Sequence, residues 1–259
     1  MTALRIPRGS YVEPDRFRVL VVAHRALSAG VAENSLAGIR QAANAGADLV
    51  ELDVRRSLDG VPYLLHDRSL RRTATGFAPL RALPSRRLDQ TRLRGSDEQL
   101  PRLEAALEAL PAGVGPALHL KDKGSLRAAL RVIQTAGVDA STWLWLHGTD
   151  SARIARQVAP EARVTVLEAG ASSLAEWVIH LDGAVAAGAT GVSIPWHDLT
   201  PALLSEIRSR ELVAFSLNHD VNLIPPMLEA GLGGVITDYP EATRRVLDAM
   251  RDSVLEEEG

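Results

Sequence analysis

The sequence predicts an α/β fold, a (β/α)8 TIM barrel with a β-hairpin extension after the second strand, on three observations. Four times a helix-like run ends in Ala-Gly and passes within a few residues into an apolar run: "QAANAGADLVELDV", "LRVIQTAGVDASTWLWL", "VAAGATGVSIP" and "MLEAGLGGVITD". Glycine just past a helix tolerates the left-handed conformation that caps the last turn, so each reads as helix, C-cap, strand. Eight short apolar segments recur along the chain, continuous rather than alternating, as parallel strands covered on both faces require. The chain has 259 residues, about the usual length for eight such units. A doubly wound open sheet competes, but eight regular units without a glycine-rich dinucleotide turn favour closure.

The elements follow in order. "RVLVVAH" is the first strand and delivers His24-Arg25 to its end; "ENS" (Glu33 to Ser35) starts the next helix, where Asn34 and Ser35 either cap or act directly. "LVELDV" is the second strand, with Glu51 and Asp53 on one face by the two-residue period. Asp59-Gly60 reads as a two-residue hairpin loop, which makes "VPYLLHD" an antiparallel ninth strand. Centred on that pair, the hairpin sets Asp53 opposite His66. The following segment to Gln99 is short and carries eight arginines, which either steer an anionic substrate or lie over a loop-rich surface. "PALHLK" is the third barrel strand, with His119 and Lys121 on one face, followed by the amphipathic "SLRAALRVIQTA". "WLWLHG", "RVTVLEA" and "GVSIPW" continue the barrel; Trp143, Trp145, His147 and His197 are candidate pocket walls, and Trp196 is the one selected as a substrate contact. "TPALLSEIRSRE" has Thr200 placed to cap and Pro201 at the first helical position. "LVAFSLN" carries Phe215 as packing or platform, and "GVITDYP" closes the set with Thr237-Asp238 as structural support. His180 and His219 are expected at the surface or in caps. No Pro-, Gly- or Ser-rich linker divides the chain, so one domain over 1–259 is expected, with a core of about 18–250.

Composition narrows the function. A hydrophobic content of 46% builds a substantial core, and a net charge of −3 gives no general attraction to nucleic acid or an anionic membrane. Cysteine is absent, which excludes disulfides and thiolate metal sites. The N-terminal segment has no apolar h-region and no run of about 18 apolar residues follows, which favours a cytoplasmic protein without integral membrane contact. The expected partner is a small-molecule substrate; oligomeric state is left open.

The chemistry sits at the strand ends, where barrels of this kind place their active sites. Two adjacent buried carboxylates repel, and either a hard divalent ion or an interior Arg or Lys must join them. Two histidines, His24 and His66, converge on that acid pair, with His119 and Lys121 beside it. The set suits phosphoryl transfer: a metal ion neutralises a phosphodiester, Arg25 and Lys121 hold its non-bridging oxygens, and the two histidines serve as base and acid. No P-loop, G-x-S-x-G elbow or H-E-x-x-H helix supports a rival chemistry.

Read together, "AHRA", "ENS", "ELDV", "LDG", "LLHD", "HLK" and "TDYP" resemble the ordered motifs of the glycerophosphodiester phosphodiesterase family, from about residue 20 to 245. The resemblance implies a (β/α)8 barrel, a metal-dependent phosphodiesterase activity giving an alcohol and glycerol phosphate, and one divalent ion, Mg²⁺ or Ca²⁺. It assigns His24 and His66 as the acid–base pair, Arg25 and Lys121 to phosphate, and Glu51 and Asp53 to metal. It matches Glu33-Asn34 to a pair that orders the mouth. Related barrels that act as phospholipase D-type lyases, forming a cyclic phosphate, are the close alternative. The chain departs at position 119, where the family's third metal carboxylate is His119. Three readings stand: His119 is a ligand in a site tuned to Mn²⁺ or Zn²⁺; the metal stays on Glu51 and Asp53 more weakly; or the site is lost and the barrel is catalytically altered or only binds phosphate ligands. Ala26 replaces the usual Gly, and "AFSLN" a Trp-Thr strand, both at the mouth.

Overall fold

The computed structural model describes residues 19–27, 30–167, 170–218 and 220–257. Its strands are β1 Leu20–Ala23, β2 Leu49–Arg56, β3 Pro62–Leu64, β4 Gly115–Leu120, β5 Trp143–His147, β6 Arg163–Leu167, β7 Gly191–Ser193, β8 Val213–Leu217 and β9 Gly234–Thr237. All pair in parallel except β3, and β1 bonds to both β2 and β9, so eight strands close into a barrel. Helices lie between successive barrel strands, as expected. Each of the four Ala-Gly glycines takes a positive φ: 86° at Gly46, 69° at Gly137, 79° at Gly188 and 106° at Gly231. Thr200 caps the helix Pro201–Ser209 by accepting from the Leu203 amide at 3.1 Å.

The apolar residues divide into three bodies. The largest lies between barrel and helices. A second fills the barrel lumen with Leu20, Val22, Leu49, Ala117, Trp143, Trp145, Phe215 and Ile236. Phe215 stands edge-on to Trp143, with centroids 5.0 Å apart, and 5.5 Å from Trp145. It fits because β9 offers a glycine: a Cβ on Gly234 would lie 2.3 Å from the Phe215 ring. Phe215 is therefore packing, and Trp143 and Trp145 are buried in the lumen rather than pocket walls. The third body, around Tyr63, Leu70, Leu80, Leu88 and Leu93, gives the segment after β3 its own small core. Its eight arginines all face solvent.

One expectation is corrected. The hairpin pairs Val54 with Leu64, Arg55 with Tyr63 and Arg56 with Pro62, one residue out of the predicted register. Ser57 and Val61 close the loop, with the Ser57 amide donating to the Val61 carbonyl at 2.8 Å and Gly60 at φ 88°. That is a three-residue loop with glycine at its left-handed position, not a two-residue turn. Asp53 consequently lies beside Leu65, whose amide donates to the Asp53 carbonyl at 2.9 Å, and not opposite His66.

Candidate active site

The site grows from the upper ends of the strands, above the aromatic filling of the lumen. Inward positions alternate along each strand, so Glu51 and Asp53 continue the face of Leu49, His119 that of Ala117, and His147 that of Trp143 and Trp145.

β1 ends in a single turn, His24–Ala26, in which Arg25 and Ala26 both have φ 53°. Left-handed backbone costs a side-chain-bearing residue about 1–2 kcal/mol, and the surroundings hold the turn in place. The Arg25 amide donates to Glu51 Oε2 at 2.6 Å, and the Asn34 amide to the Arg25 carbonyl at 2.7 Å. The helix Leu36–Asn44 presses on the same turn, where a Cβ at Gly38 would lie 2.4 Å from the Ala26 carbonyl oxygen.

Both candidate catalytic histidines are held the same way. His24 Nδ1 is 2.7 Å from Asp238 Oδ1, and His66 Nδ1 is 2.7 Å from Asp67 Oδ1. A carboxylate accepts, so Nδ1 carries the hydrogen and Nε2 is the nitrogen that exchanges a proton. Arg55 fixes the His66 backbone with two bonds to its carbonyl, at 2.9 and 2.8 Å. Arg72 reaches Asp67 at 2.7 Å and Glu33 at 2.6 Å, and Glu33 in turn lies 3.5 Å from Arg25. From the sequence, Asp238 is expected as structural support alone and Asp67 is assigned no contact with His66, and Arg72 is one arginine among eight. The sequence signals for Asp238 are its place just past a barrel strand, where functional side chains emerge, and the "TDYP" motif that contains it.

The acid pair is nearly sealed from solvent. Asn34 clamps Asp53 twice, donating from Nδ2 to Asp53 Oδ2 at 2.9 Å and accepting the Asp53 amide at 3.0 Å, while Ser35 caps the helix. Burial and the neighbouring Asp53 carboxylate push Glu51 up to about 8. Burial works to raise Asp53 as well, but Lys121, His119 and Asn34 override it and hold the carboxyl at about 2. Burial and Lys121 lower His119 to about 4, which leaves the imidazole neutral with a lone pair to offer.

The donor set fits a divalent ion. His119 Nδ1 lies 3.4 Å from Glu51 Oε1 and 3.5 Å from Asp53 Oδ1, and one donor atom from each residue falls within 4.8 Å of the others. Asp53 Oδ1 is buried without an aligned hydrogen bond, although Lys121 Nζ lies 2.8 Å away. The interior cation named as the alternative partner is thus Lys121, which also stands 2.8 Å from His119 Nδ1. Arg25 Nε, 3.7 Å from Asp53 Oδ2, is buried with no hydrogen-bond partner. Trp196 sits in a short turn after β7, half-buried against the outer core. His147 is exposed at the rim, His180 is half-buried on the helix Leu174–Ala186, and His219 lies outside the described residues. Among the described residues, no helix is long and apolar enough to cross a membrane.

The model of the glycerophosphoryl diester phosphodiesterase family matches residues 24–242. Glycerophosphodiester phosphodiesterase 1 of Mus musculus is 38% identical over 138 residues, which is 49% of this chain and 42% of that protein. The chain thus matches less than half the length of that relative. A glycerophosphodiester phosphodiesterase of Arabidopsis thaliana is 27% identical over 256 residues, 92% of this chain and 76% of its own. A solved phosphodiesterase of Oleispira antarctica, in complex with the product sn-glycerol-3-phosphate, shares the fold with a TM-score of 0.77 at 24% identity, over 88% of this chain and 96% of that one. The matched span begins at His24 and runs past the Thr237-Asp238 strand end, and the chain belongs to the glycerophosphoryl diester phosphodiesterase family.

Proposed function

We propose that this barrel is a metal-dependent phosphodiesterase that hydrolyses a glycerophosphodiester-like small molecule to an alcohol and a glycerol phosphate. The reading is supported by two carboxylate-held histidines, His24 on Asp238 and His66 on Asp67, and by the ion pairs Asp67–Arg72–Glu33–Arg25 that run from the second toward the cluster of Glu51, Asp53 and His119. Those three residues would hold one divalent ion, which when bound supplies positive charge against the diester. By family the ion is Mg²⁺ or Ca²⁺; the imidazole at 119 shifts preference toward Mn²⁺ or Zn²⁺.

The chain's own groups do the rest. Arg25 Nε, buried and without a hydrogen-bond partner, and the Lys121 ammonium are donors for the non-bridging phosphate oxygens. One histidine takes a proton from water as its oxygen joins phosphorus; the other gives a proton to the alkoxide as the ester bond breaks. Each transfer is worth about 10²–10⁴ in rate. The glycerol phosphate bound by the Oleispira antarctica relative supports a product of that class. Trp196 as a substrate contact belongs to this proposal and rests on its position after β7 alone.

The test is turnover of glycerophosphocholine and bis(p-nitrophenyl) phosphate by metal-stripped protein, with Mg²⁺, Ca²⁺, Mn²⁺ and Zn²⁺ restored singly. Metal-restored turnover that disappears in His66→Ala supports the reading. A folded protein inactive with every ion overturns it. Phosphorus NMR of the products separates hydrolysis from attack by the substrate's own hydroxyl, which leaves a cyclic phosphate.

A further inference from the structure

We infer that His147, which the reading above does not use, is a positioning residue that holds His119 in the one tautomer able to bind a metal. The inference rests on Glu51, Asp53 and His119 being the metal site. β5 lies beside β4 with Trp145 paired to His119, so His147 comes up one inward step higher on the adjacent strand. There its Nε2 lies 3.2 Å from His119 Nε2, with ring centroids 5.3 Å apart.

The polarity of this contact follows from its neighbours. Lys121 Nζ, a donor only, lies 2.8 Å from His119 Nδ1 and 3.4 Å from Nε2 and so does not choose between them; Nδ1 is the nitrogen that faces the acids, 3.4 Å from Glu51 Oε1 and 3.5 Å from Asp53 Oδ1. A metal ion held by Glu51, Asp53 and His119 would take the Nδ1 lone pair, which puts the hydrogen on Nε2. Nε2 then donates to His147 Nε2, 3.2 Å away. Metal-binding histidines almost always donate their second nitrogen to an acceptor, commonly a carboxylate or carbonyl, which fixes tautomer and ring orientation. In this chain a second histidine takes that place. It adds no negative charge beside an acid pair, and its exposed rim position lets it be replaced without opening the core.

The test measures Mn²⁺ affinity by equilibrium dialysis, with the nitrogen coupling to bound Mn²⁺ read by electron spin-echo spectroscopy. The wild-type protein is expected to bind Mn²⁺ with one directly bound nitrogen, abolished by His119→Ala. His147→Ala is expected to weaken binding about 10–100-fold, and His147→Asn, whose side-chain carbonyl can accept from Nε2, to restore most of it. In a His119→Glu background, replacing His147 should change affinity far less. Unchanged affinity and nitrogen coupling in His147→Ala would overturn this inference and leave the metal site standing. Two directly bound nitrogens, one lost in His147→Ala, would also overturn it, because His147 would then be a ligand itself. Wild-type protein that binds no Mn²⁺ through Glu51 removes the metal reading and this inference together.

Discussion

At His24, under the proposed acid–base role, the carboxylate behind the ring selects the nitrogen that would exchange the proton. Asp238 accepts from Nδ1 at 2.7 Å, which leaves Nε2 as the nitrogen for the proposed proton exchange. Asp238→Asn keeps the size but removes the carboxylate charge. It is expected to lower kcat by up to the 10²–10⁴-fold that a histidine acid or base is worth, with KM and the unfolding midpoint nearly unchanged. A fall in KM affinity with kcat intact would instead assign Asp238 to binding. Two residues away from His24, Ala26 occupies a left-handed position that glycine takes without strain. Ala26→Gly should relieve about 1–2 kcal/mol of strain against about 0.4–1 kcal/mol of added freedom in the unfolded chain. The urea midpoint should therefore rise slightly with an unchanged slope. Glu51 with Asp53, and His119 with Lys121, were legible because two-residue spacing along a strand puts each pair on one face; His24 and His66 were legible only as residues just past strand ends. Their supports were not: Asp238 meets His24 across 214 residues, and Arg72 meets Glu33 across 39. No local pattern encodes a contact of that separation.

Among the elements, the β2–β3 hairpin carries His66, and its loop is built on Asp59. The Asp59 carboxylate accepts from Ser57 Oγ at 2.6 Å and from the Ser85 amide at 2.9 Å, tying the loop to the following segment. Hydrogen bonds from Ser57 and Ser85 hold the Asp59 carboxyl well below the usual carboxylate range. The folded value lies below the unfolded one, so this contribution is present above about pH 4 and is lost as the solution is made more acid. Hydrogen-exchange protection at the Ser85 and Val61 amides should drop on acidification below that point, and Asp59→Asn should flatten the dependence. An acid-insensitive hairpin would place its stability in the Tyr63 and Leu65 packing instead. The same loop explains the register. The Asp-Gly pair announced a hairpin correctly, but the Ser57–Val61 closure added one residue, and a pleated strand turns a one-residue slip into opposite faces. Parallel strands were easier to read, because burial on both faces leaves a continuous apolar run bounded by a capping glycine.

For the whole molecule, closure of β1 onto both β2 and β9 makes the site and the fold one cooperative object. The lumen is filled below by Trp143, Trp145 and Phe215, which leaves Glu51 and Asp53 buried above an apolar floor. Two acids in that position destabilise the barrel unless a cation joins them. Lys121 answers part of that need, and an ion bound only by the folded chain would answer it more fully. At a hundred times its dissociation constant such an ion adds about 2.7 kcal/mol to stability. In a chain of this size that raises the thermal midpoint by about 5–10 °C. The rise is expected with Mn²⁺ or Zn²⁺, smaller with Ca²⁺ because of the imidazole at 119, reversed by EDTA and absent in Glu51→Gln/Asp53→Asn. A wild-type midpoint indifferent to every ion would mean that Lys121 alone compensates the pair, and would count against the proposed metal site.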